Sequence, residues 1–309
     1  MKNVLLMGAG PMAMAYAQVL EKMGVAYDVV GRGAASAALF EEKYHKKVIR
    51  DDSWKHQTYS HAIVAVSMEQ LTTVTLNVLE TTINTVLVEK PAGLNGAELT
   101  RLAHEAAAAN AKVWVGYNRR FYAAVLEAEK RIEADGGLRS VHFEFTEWSH
   151  VIEPLQKAPG VKENWFLGNS THVVDLAFFF MGEPASLQAY KSGSINWHPA
   201  GAAFVGAGKS INDVLFSYHA NWQAPGRWSV ELLTAKNRYY LKPMEKLHVQ
   251  TLGSVAVNEI PLNDELDINF KPGIYLQTAA YLNGTTDRFV SIETQARLAN
   301  GAYQQMLNG

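Results

Sequence analysis

Cysteine is absent from all 309 residues, which removes disulfides, thiol nucleophiles and thiolate metal ligands together. No apolar run reaches the length of about 18 residues that a membrane span needs, so no transmembrane helix is expected. An excess of one charge is also missing. The 28 basic and 30 acidic residues leave a net charge of -2, without the basic footprint that nucleic acid selects. The His, Asp and Glu residues show no metal-ligand spacing, and no metal is expected. Met1-Lys2-Asn3 resembles the start of a signal peptide, but the apolar run Val4 to Met7 stops at Gly8 and no cleavable segment follows. A cytoplasmic location fits these absences best.

What is present is a hydrophobic fraction of 48%, enough at this length for a sizeable core and more than one domain. Short apolar runs at Val4 to Met7, Ala26 to Val30, Ala62 to Val66, Thr85 to Val88 and Val113 to Val115 read as strands, with a weaker one at Val48-Ile49. Helical stretches lie between them: Pro11 to Met23, Ala34 to Tyr44, Met68 to Glu80 and Gly96 to Asn110. This alternation is that of a buried parallel sheet with helices on both faces. After Gly116 the pattern changes. Phe121 to Ala134 reads as a helix, Ser140 to Thr146 as a strand and Ser170 to Phe180 as an apolar helix. Ile211 to Tyr218, Trp228 to Leu233 and Arg238 to Leu241 read as antiparallel strands, and Ser291 to Leu307 as one final helix. Pro154 to Gly160 and Pro199 to Gly208 read as loops. The expected fold is an α/β domain of the Rossmann type over 1–120, followed by an α+β domain over 121–309 with a mostly antiparallel sheet. The last helix is free to pack back on the first domain.

Gly8-Ala9-Gly10-Pro11-Met12-Ala13 follows the first strand and opens a helix. Gly8 permits a tight turn, Gly10 lets the backbone approach a pyrophosphate, and Ala13 allows close helix packing. The helix start at Pro11 and Met12 offers free N–H groups and a favourable dipole to phosphate. Cofactor folds that take NAD place a carboxylate after the second strand, to bind the adenosine ribose. Here that strand ends in Gly31-Arg32-Gly33, Ser36 follows, and Asp28 sits too early within the strand. Arg32 suits a 2′-phosphate, with Ser36 as a weaker contact. Cofactor choice therefore tilts to NADP(H) over NAD(H). Ser67, just after the third long strand, is placed to touch the nicotinamide half. Glu89-Lys90-Pro91 ends a buried strand, where parallel sheets place ligands, and a cis bond before Pro91 would make a sharp turn. Lys90 is a cation at an apolar strand end, suited to orienting a hydroxyl or helping its proton leave. Gly116-Tyr117-Asn118-Arg119-Arg120-Phe121 follows the next strand and offers polar groups to a polyhydroxylated ligand; for Arg120 a salt bridge fits equally well.

These residues resemble the glucose-fructose oxidoreductase / inositol 2-dehydrogenase / rhizopine-catabolism family, the Gfo/Idh/MocA oxidoreductases. The glycine loop, Glu-Lys-Pro and the segment at Tyr117 to Phe121 occur in the family's order, and the resemblance covers essentially the whole chain. It implies a second-domain sheet whose face meets the nicotinamide, sugar or cyclitol substrates, and dimers or tetramers formed through the sheet's outer face. Lys90 matches the family lysine of substrate binding and proton transfer, with Glu89 beside the cofactor. The family's Asp-x-Gly-x-His-x-x-Asp segment is matched at Gly168-Asn169-Ser170-Thr171-His172-Val173-Val174-Asp175. His172 takes the place of the catalytic histidine, and its imidazole titrates near neutrality, as proton exchange with a carbinol requires. Asp175 can orient that ring, cap or pack. The family's upstream aspartate is missing, with Gly168 in its place. Asn169, His150 and Trp165, with Asn164, are further candidates for lining the substrate site; Lys162 is read as solvent-exposed. The expected reaction is hydride transfer between nicotinamide and a secondary carbinol of a sugar-like substrate. Reduction of an imine or another C=X bond, and a non-catalytic dinucleotide-binding regulator, are the alternatives.

Overall fold

The computed structural model describes residues 3–309; Met1 and Lys2, where the signal-like start was noted, lie outside the described residues. In chain order the first elements are β1 (Asn3–Met7), α1 (Pro11–Lys22), β2 (Ala26–Val30), α2 (Ala34–Tyr44), β3 (Val48–Ile49), β4 (His61–Val64), α3 (Leu71–Leu79), β5 (Thr85–Glu89), α4 (Gly96–Ala108) and β6 (Lys112–Gly116). Then come α5 (Ala123–Ala134), β7 (Ser140–Glu144), α6 (Ser149–Ile152), α7 (Thr171–Met181), β8 (Pro184–Ser192), β9 (Ala203–Ser210), β10 (Leu215–Asn221) and β11 (Ser229–Leu233). The last are β12 (Asn237–Leu241), β13 (His248–Thr251), β14 (Asn258–Glu259), α8 (Glu265–Asn269), α9 (Ile274–Asn283), β15 (Val290–Ser291), α10 (Ile292–Asn300) and α11 (Ala302–Asn308). The chain forms two units. One holds the chain up to Asn118 together with Ile268–Leu298; the other holds Arg119–Asp267 and Ala299–Gly309.

The first unit is built on a sheet of order β15-β6-β5-β4-β1-β2-β3. All its pairings are parallel except that of β15 with β6. β1, β4 and β5 are buried almost end to end, because helices cover both faces of a parallel sheet. The strand order reverses direction between β1 and β4, and ligands of open α/β sheets bind at such a switch point. A cut of the chain at residue 120 is too simple, since 268–298 belongs to this first unit. The reason is burial. Ile274, Gln277, Thr278, Tyr281 and Leu282 form the buried stripe of α9, which packs on α1. The Tyr281 hydroxyl lies 2.8 Å from the carbonyl oxygens of both Ala62 and Thr85, tying β4 to β5.

The second unit holds a sheet of order β14-β13-β12-β11-β7-β10-β9-β8, antiparallel apart from the β7–β10 pair. The stretch 199–208, read as a loop from its glycines, is largely strand β9. Those glycines make room for rings. A Cβ on Gly206 would stand 2.5 Å from the Tyr218 ring, and one on Gly208 would meet Phe216 and, at 2.0 Å, the Ser186 carbonyl oxygen. The strand expected from Ile211 begins at Leu215, after a turn in which Asp213 adopts φ 64°. The single final helix is two, broken at Gly301. α7 is buried on nearly all sides and packs on β7, consistent with its uniformly apolar sequence. Among the described residues no helix is long and apolar enough to cross a membrane.

Candidate active site

The glycine loop sits directly after β1, at the switch point. Gly8 has φ +119°, donates its N–H to the Val30 carbonyl (2.7 Å), and a Cβ there would lie 2.3 Å from the Ala65 carbonyl oxygen. The position therefore requires glycine for both conformation and space. Gly10 differs: a Cβ there would meet nothing within 4 Å. It is the N-cap of α1 and has no side-chain cap, while Pro11 at N1 brings no N–H of its own. The amides of the first turn thus receive no side-chain cap at the positive end of a 12-residue helix, next to the open space at Gly10. Ala13 is fully buried, as close packing of the helix requires. These features fit the pyrophosphate of a dinucleotide.

At the end of β2, Arg32 is exposed, and Arg50 donates from Nη2 to its carbonyl (3.2 Å). Arg50 follows β3 and was missed from sequence; only strand pairing brings it beside Arg32. Asp28 accepts from the Tyr59 hydroxyl (3.0 Å), so its carboxylate is engaged within the strand. Ser36 is half-buried in the first turn of α2. Ser67 is exposed and its hydroxyl donates to Glu69.

The turn after β5 is braced from several directions. Lys90-Pro91 is a cis peptide and Ala92 has φ 76° while fully buried. The Ala92 N–H donates to the Glu89 carbonyl (2.9 Å). Thr72 Oγ1 donates to the Ala92 carbonyl (3.2 Å), and Gln295 Nε2 to that of Pro91 (3.2 Å). A non-glycine residue at positive φ, held by this many bonds, is the kind of outlier that marks a functional turn. It presents Lys90 half-buried. Glu89 was read as a cofactor contact, but its buried carboxylate accepts from the Tyr16 hydroxyl (2.6 Å). Burial pushes its pKa up, opposed by Tyr16, Lys90 and Lys271. Tyr117 and Asn118, expected at the substrate, are buried in the first unit. Tyr117 bonds Gln295, which in turn holds Pro91, and Asn118 Nδ2 donates to the Pro272 carbonyl (2.9 Å). Tyr117 thereby braces the Lys90 turn, and Asn118 ties the end of β6 to the chain before α9.

In the second unit a polar cluster surrounds the start of α7. A π-helical turn, Phe166–Ser170, precedes it. Glu147, three residues beyond β7, is 2% exposed. Ser170 Oγ donates to its Oε1 (2.7 Å), and Asn169 Nδ2 lies 3.1 Å from each carboxylate oxygen. Burial pushes this carboxyl up to about 7, against the hydrogen bonds of Ser170 and Asn169, the Arg227 charge and the Trp165 indole. The segment that lacks an acid at Gly168 thus receives one from the chain that follows β7. Asn169, expected to touch substrate, is tied to that acid. Phe143, Phe145, Thr146 and Glu147 are all buried, so an acid directly after a run of buried positions was the available signal.

His172 is 8% exposed, its ring 6.0 Å from that of Trp228. Asp175 does not serve it: Arg120 Nε and Nη2 bond its two oxygens at 2.8 and 2.6 Å in a buried bidentate pair. Arg119 stacks on Trp228 at 4.8 Å. Trp165 is half-buried, edge-on to Trp197 (5.9 Å). His150 is exposed beside Trp148, at 6.3 Å, and Asn164 is turned onto the Gly160 carbonyl (2.9 Å). Lys162 donates to the Glu153 carbonyl (2.7 Å). No group of three His, Asp or Glu residues is placed to hold a metal ion among the described residues.

Glycine loop, strand order and braced lysine turn define the first unit as a dinucleotide-binding domain of the doubly wound α/β class. A family model described as "Oxidoreductase family, NAD-binding Rossmann fold" (GFO_IDH_MocA) matches residues 2–117, the stretch that carries the glycine loop and the Lys90 turn. No curated protein matches the sequence. Solved structures share the fold. An Agrobacterium radiobacter oxidoreductase in complex with NAD+, L-tartaric acid and magnesium has a TM-score of 0.78 at 13% identity, over 100% of this chain and 97% of that one. Levoglucosan dehydrogenase with NADH and levoglucosan has 0.77 at 16%, over 99% and 96%. UDP-N-acetylglucosamine 3-dehydrogenase from Acidithiobacillus ferrooxidans has 0.73 at 14%, over 98% and 96%.

Proposed function

We propose that the chain is an NAD(P)-dependent oxidoreductase that moves a hydride between nicotinamide and a secondary carbinol or ketone of a sugar-like small molecule. The observation that carries this reading is the open cradle at Gly10, in the same sheet as a Lys90 turn braced by Thr72, Gln295 and the Glu89 carbonyl. A bound nicotinamide dinucleotide supplies hydride chemistry. The chain's own residues bind, orient and exchange a proton. The α1 amides hold the pyrophosphate. Lys90 orients the substrate hydroxyl by donating to its oxygen, and its charge lowers the cost of the alkoxide character that develops. His172 exchanges the hydroxyl proton at its imidazole. The carbohydrate dehydrogenases among the fold relatives support a polyol substrate. Two guanidiniums, Arg32 and Arg50, with Asp28 engaged by Tyr59, support NADP(H) as the preferred cofactor.

The test is reduction and oxidation of both cofactors across a panel of sugars, cyclitols, sugar acids and nucleotide sugars. His172→Ala is expected to lower turnover by about 10²–10⁴-fold at saturating substrate. Lys90→Ala is expected to lower turnover and raise KM together. Absence of turnover across the panel, with tight dinucleotide binding, would favour a non-catalytic regulator. Wild-type turnover in His172→Ala would remove that residue from the reaction.

A further inference from the structure

Trp228, just before β11, is 6% exposed, and three side chains of the second unit converge on its indole. The Arg119 guanidinium carbon lies 4.8 Å from the ring centroid, that of Arg227 4.7 Å, and the His172 ring 6.0 Å. Arg227 also stacks on Trp148 at 4.6 Å. Its loop is fixed in place: Trp148 Nε1 donates to the Gly226 carbonyl (2.8 Å), and the Arg227 N–H donates to Glu144 Oε1 (3.2 Å). Neither guanidinium forms an ion pair among the described residues. Two buried donors, Arg119 Nε and Trp228 Nε1, have no hydrogen-bond partner among them either.

Acceptors are scarce here. Glu147 and Glu245 act on Arg119 only through space, and Glu147 acts likewise on Arg227. The Glu147 oxygens are already taken by Ser170 and Asn169, and burial leaves that carboxyl only partly ionised at neutral pH. Two like charges beside one ring raise each other's energy, and a buried N–H without an acceptor is costly. Stacking on indole holds a guanidinium plane by its face and leaves its edge of N–H donors free. A ligand that satisfies forked donors and cancels two positive charges is an oxyanion.

We propose that Arg119, Arg227 and the Trp228 indole N–H form an oxyanion clamp that selects substrates bearing a carboxylate or phosphate, sugar acids or sugar phosphates, over neutral sugars. Since His172 touches the same indole, an anion held there sets a carbinol one to a few carbons away beside the imidazole. The clamp names the substrate class of the oxidoreductase reading and rests on it for turnover, but not for binding.

The experiment is calorimetric titration of the full chain, with and without NADP+, using D-gluconate, D-glucuronate, glucose 6-phosphate and D-glucose. Wild type is compared with Arg227→Ala, Arg227→Lys and Arg119→Gln, each checked for fold by circular dichroism. The expected result is that at least one anion binds about tenfold or more tightly than glucose. That preference falls about tenfold or more in Arg227→Ala and in Arg119→Gln, and returns in part with lysine at 227. Which anion binds separates carboxylate from phosphate. Equal affinity for charged and neutral sugars overturns the clamp. So does the absence of anion binding at millimolar concentration, or an anion preference that survives both neutral variants. Anion binding without any hydride transfer would sink the oxidoreductase reading and leave the clamp standing. Turnover of neutral polyols with no anion preference would do the reverse.

Discussion

Replacing Glu147 with glutamine changes one charge in a site that is 2% exposed and keeps an acceptor for Ser170 Oγ. Its consequence for stability follows from proton linkage. In the unfolded chain the carboxyl titrates at its ordinary 4.5, and in the folded protein burial pushes it up to about 7. Between these values the native state binds the extra proton, so stability falls as pH rises through that window, and the full penalty is present above pH 7. The difference corresponds to about 3 kcal/mol. Because the group is almost wholly buried, solvent screening does not reduce it as it would at the surface. Other buried acids, Glu89 and Asp175, are also raised, so the wild-type pH profile alone would not isolate this one. The difference between variant and wild type does. Glu147→Gln is expected to differ least from wild type at pH 5, where both folded side chains are neutral and only about 1 kcal/mol of the penalty is in place. It should then gain about 2–3 kcal/mol more relative to wild type by pH 8. Urea unfolding at pH 5, 6, 7 and 8, followed by tryptophan fluorescence, measures this directly. A variant-minus-wild-type difference that stays flat to within about 0.5 kcal/mol across that range would refute the account, because no buried carboxylate would then be titrating at that site.

The two glycines of the phosphate loop should fail in different ways. Gly8→Ala is expected to destabilise the fold by about 2 kcal/mol or more, visible in thermal melting, since its Cβ meets the Ala65 carbonyl and its φ is +119°. Gly10→Asp should melt as wild type yet lose dinucleotide binding by calorimetry, because its side chain enters the open space that the proposed reading gives to the pyrophosphate. Arg32→Ala with Arg50→Ala should erase a tenfold to hundredfold preference for NADP(H), about 1.5–3 kcal/mol, in competition between the two cofactors; equal wild-type affinities would dismiss that preference. Arg120→Met should cost about 3–5 kcal/mol by leaving Asp175 buried without its partner, and adding Asp175→Leu should recover most of it.

The class of the first unit was legible because its signals are local. A strand, a glycine turn and a helix start are adjacent in sequence, and their chemistry needs no distant partner. The parallel strands announced themselves as apolar runs because both their faces are covered. Glycine was the ambiguous residue. At Gly8 it marks a turn, while at Gly206 and Gly208 it lies inside a strand to clear the rings of Tyr218 and Phe216. Only the partner strand distinguishes the two uses. The same limit applies to the second unit's chemistry. His172 and Asp175 are one turn apart on α7, so sequence permitted their pairing, but Arg120 takes Asp175 by folding back from the chain before α5. The acid absent at residue 168 comes from residue 147, and the guanidinium beside Arg32 comes from residue 50. Residue 268–298, far along the chain, completes the first unit because the apolar stripe of α9 is buried there. Residue types, periodicity and local turns are properties of neighbouring positions and can be read along the chain. Which charge meets which, and how far burial shifts it, depends on groups brought together across long sequence separations, and that is decided by packing.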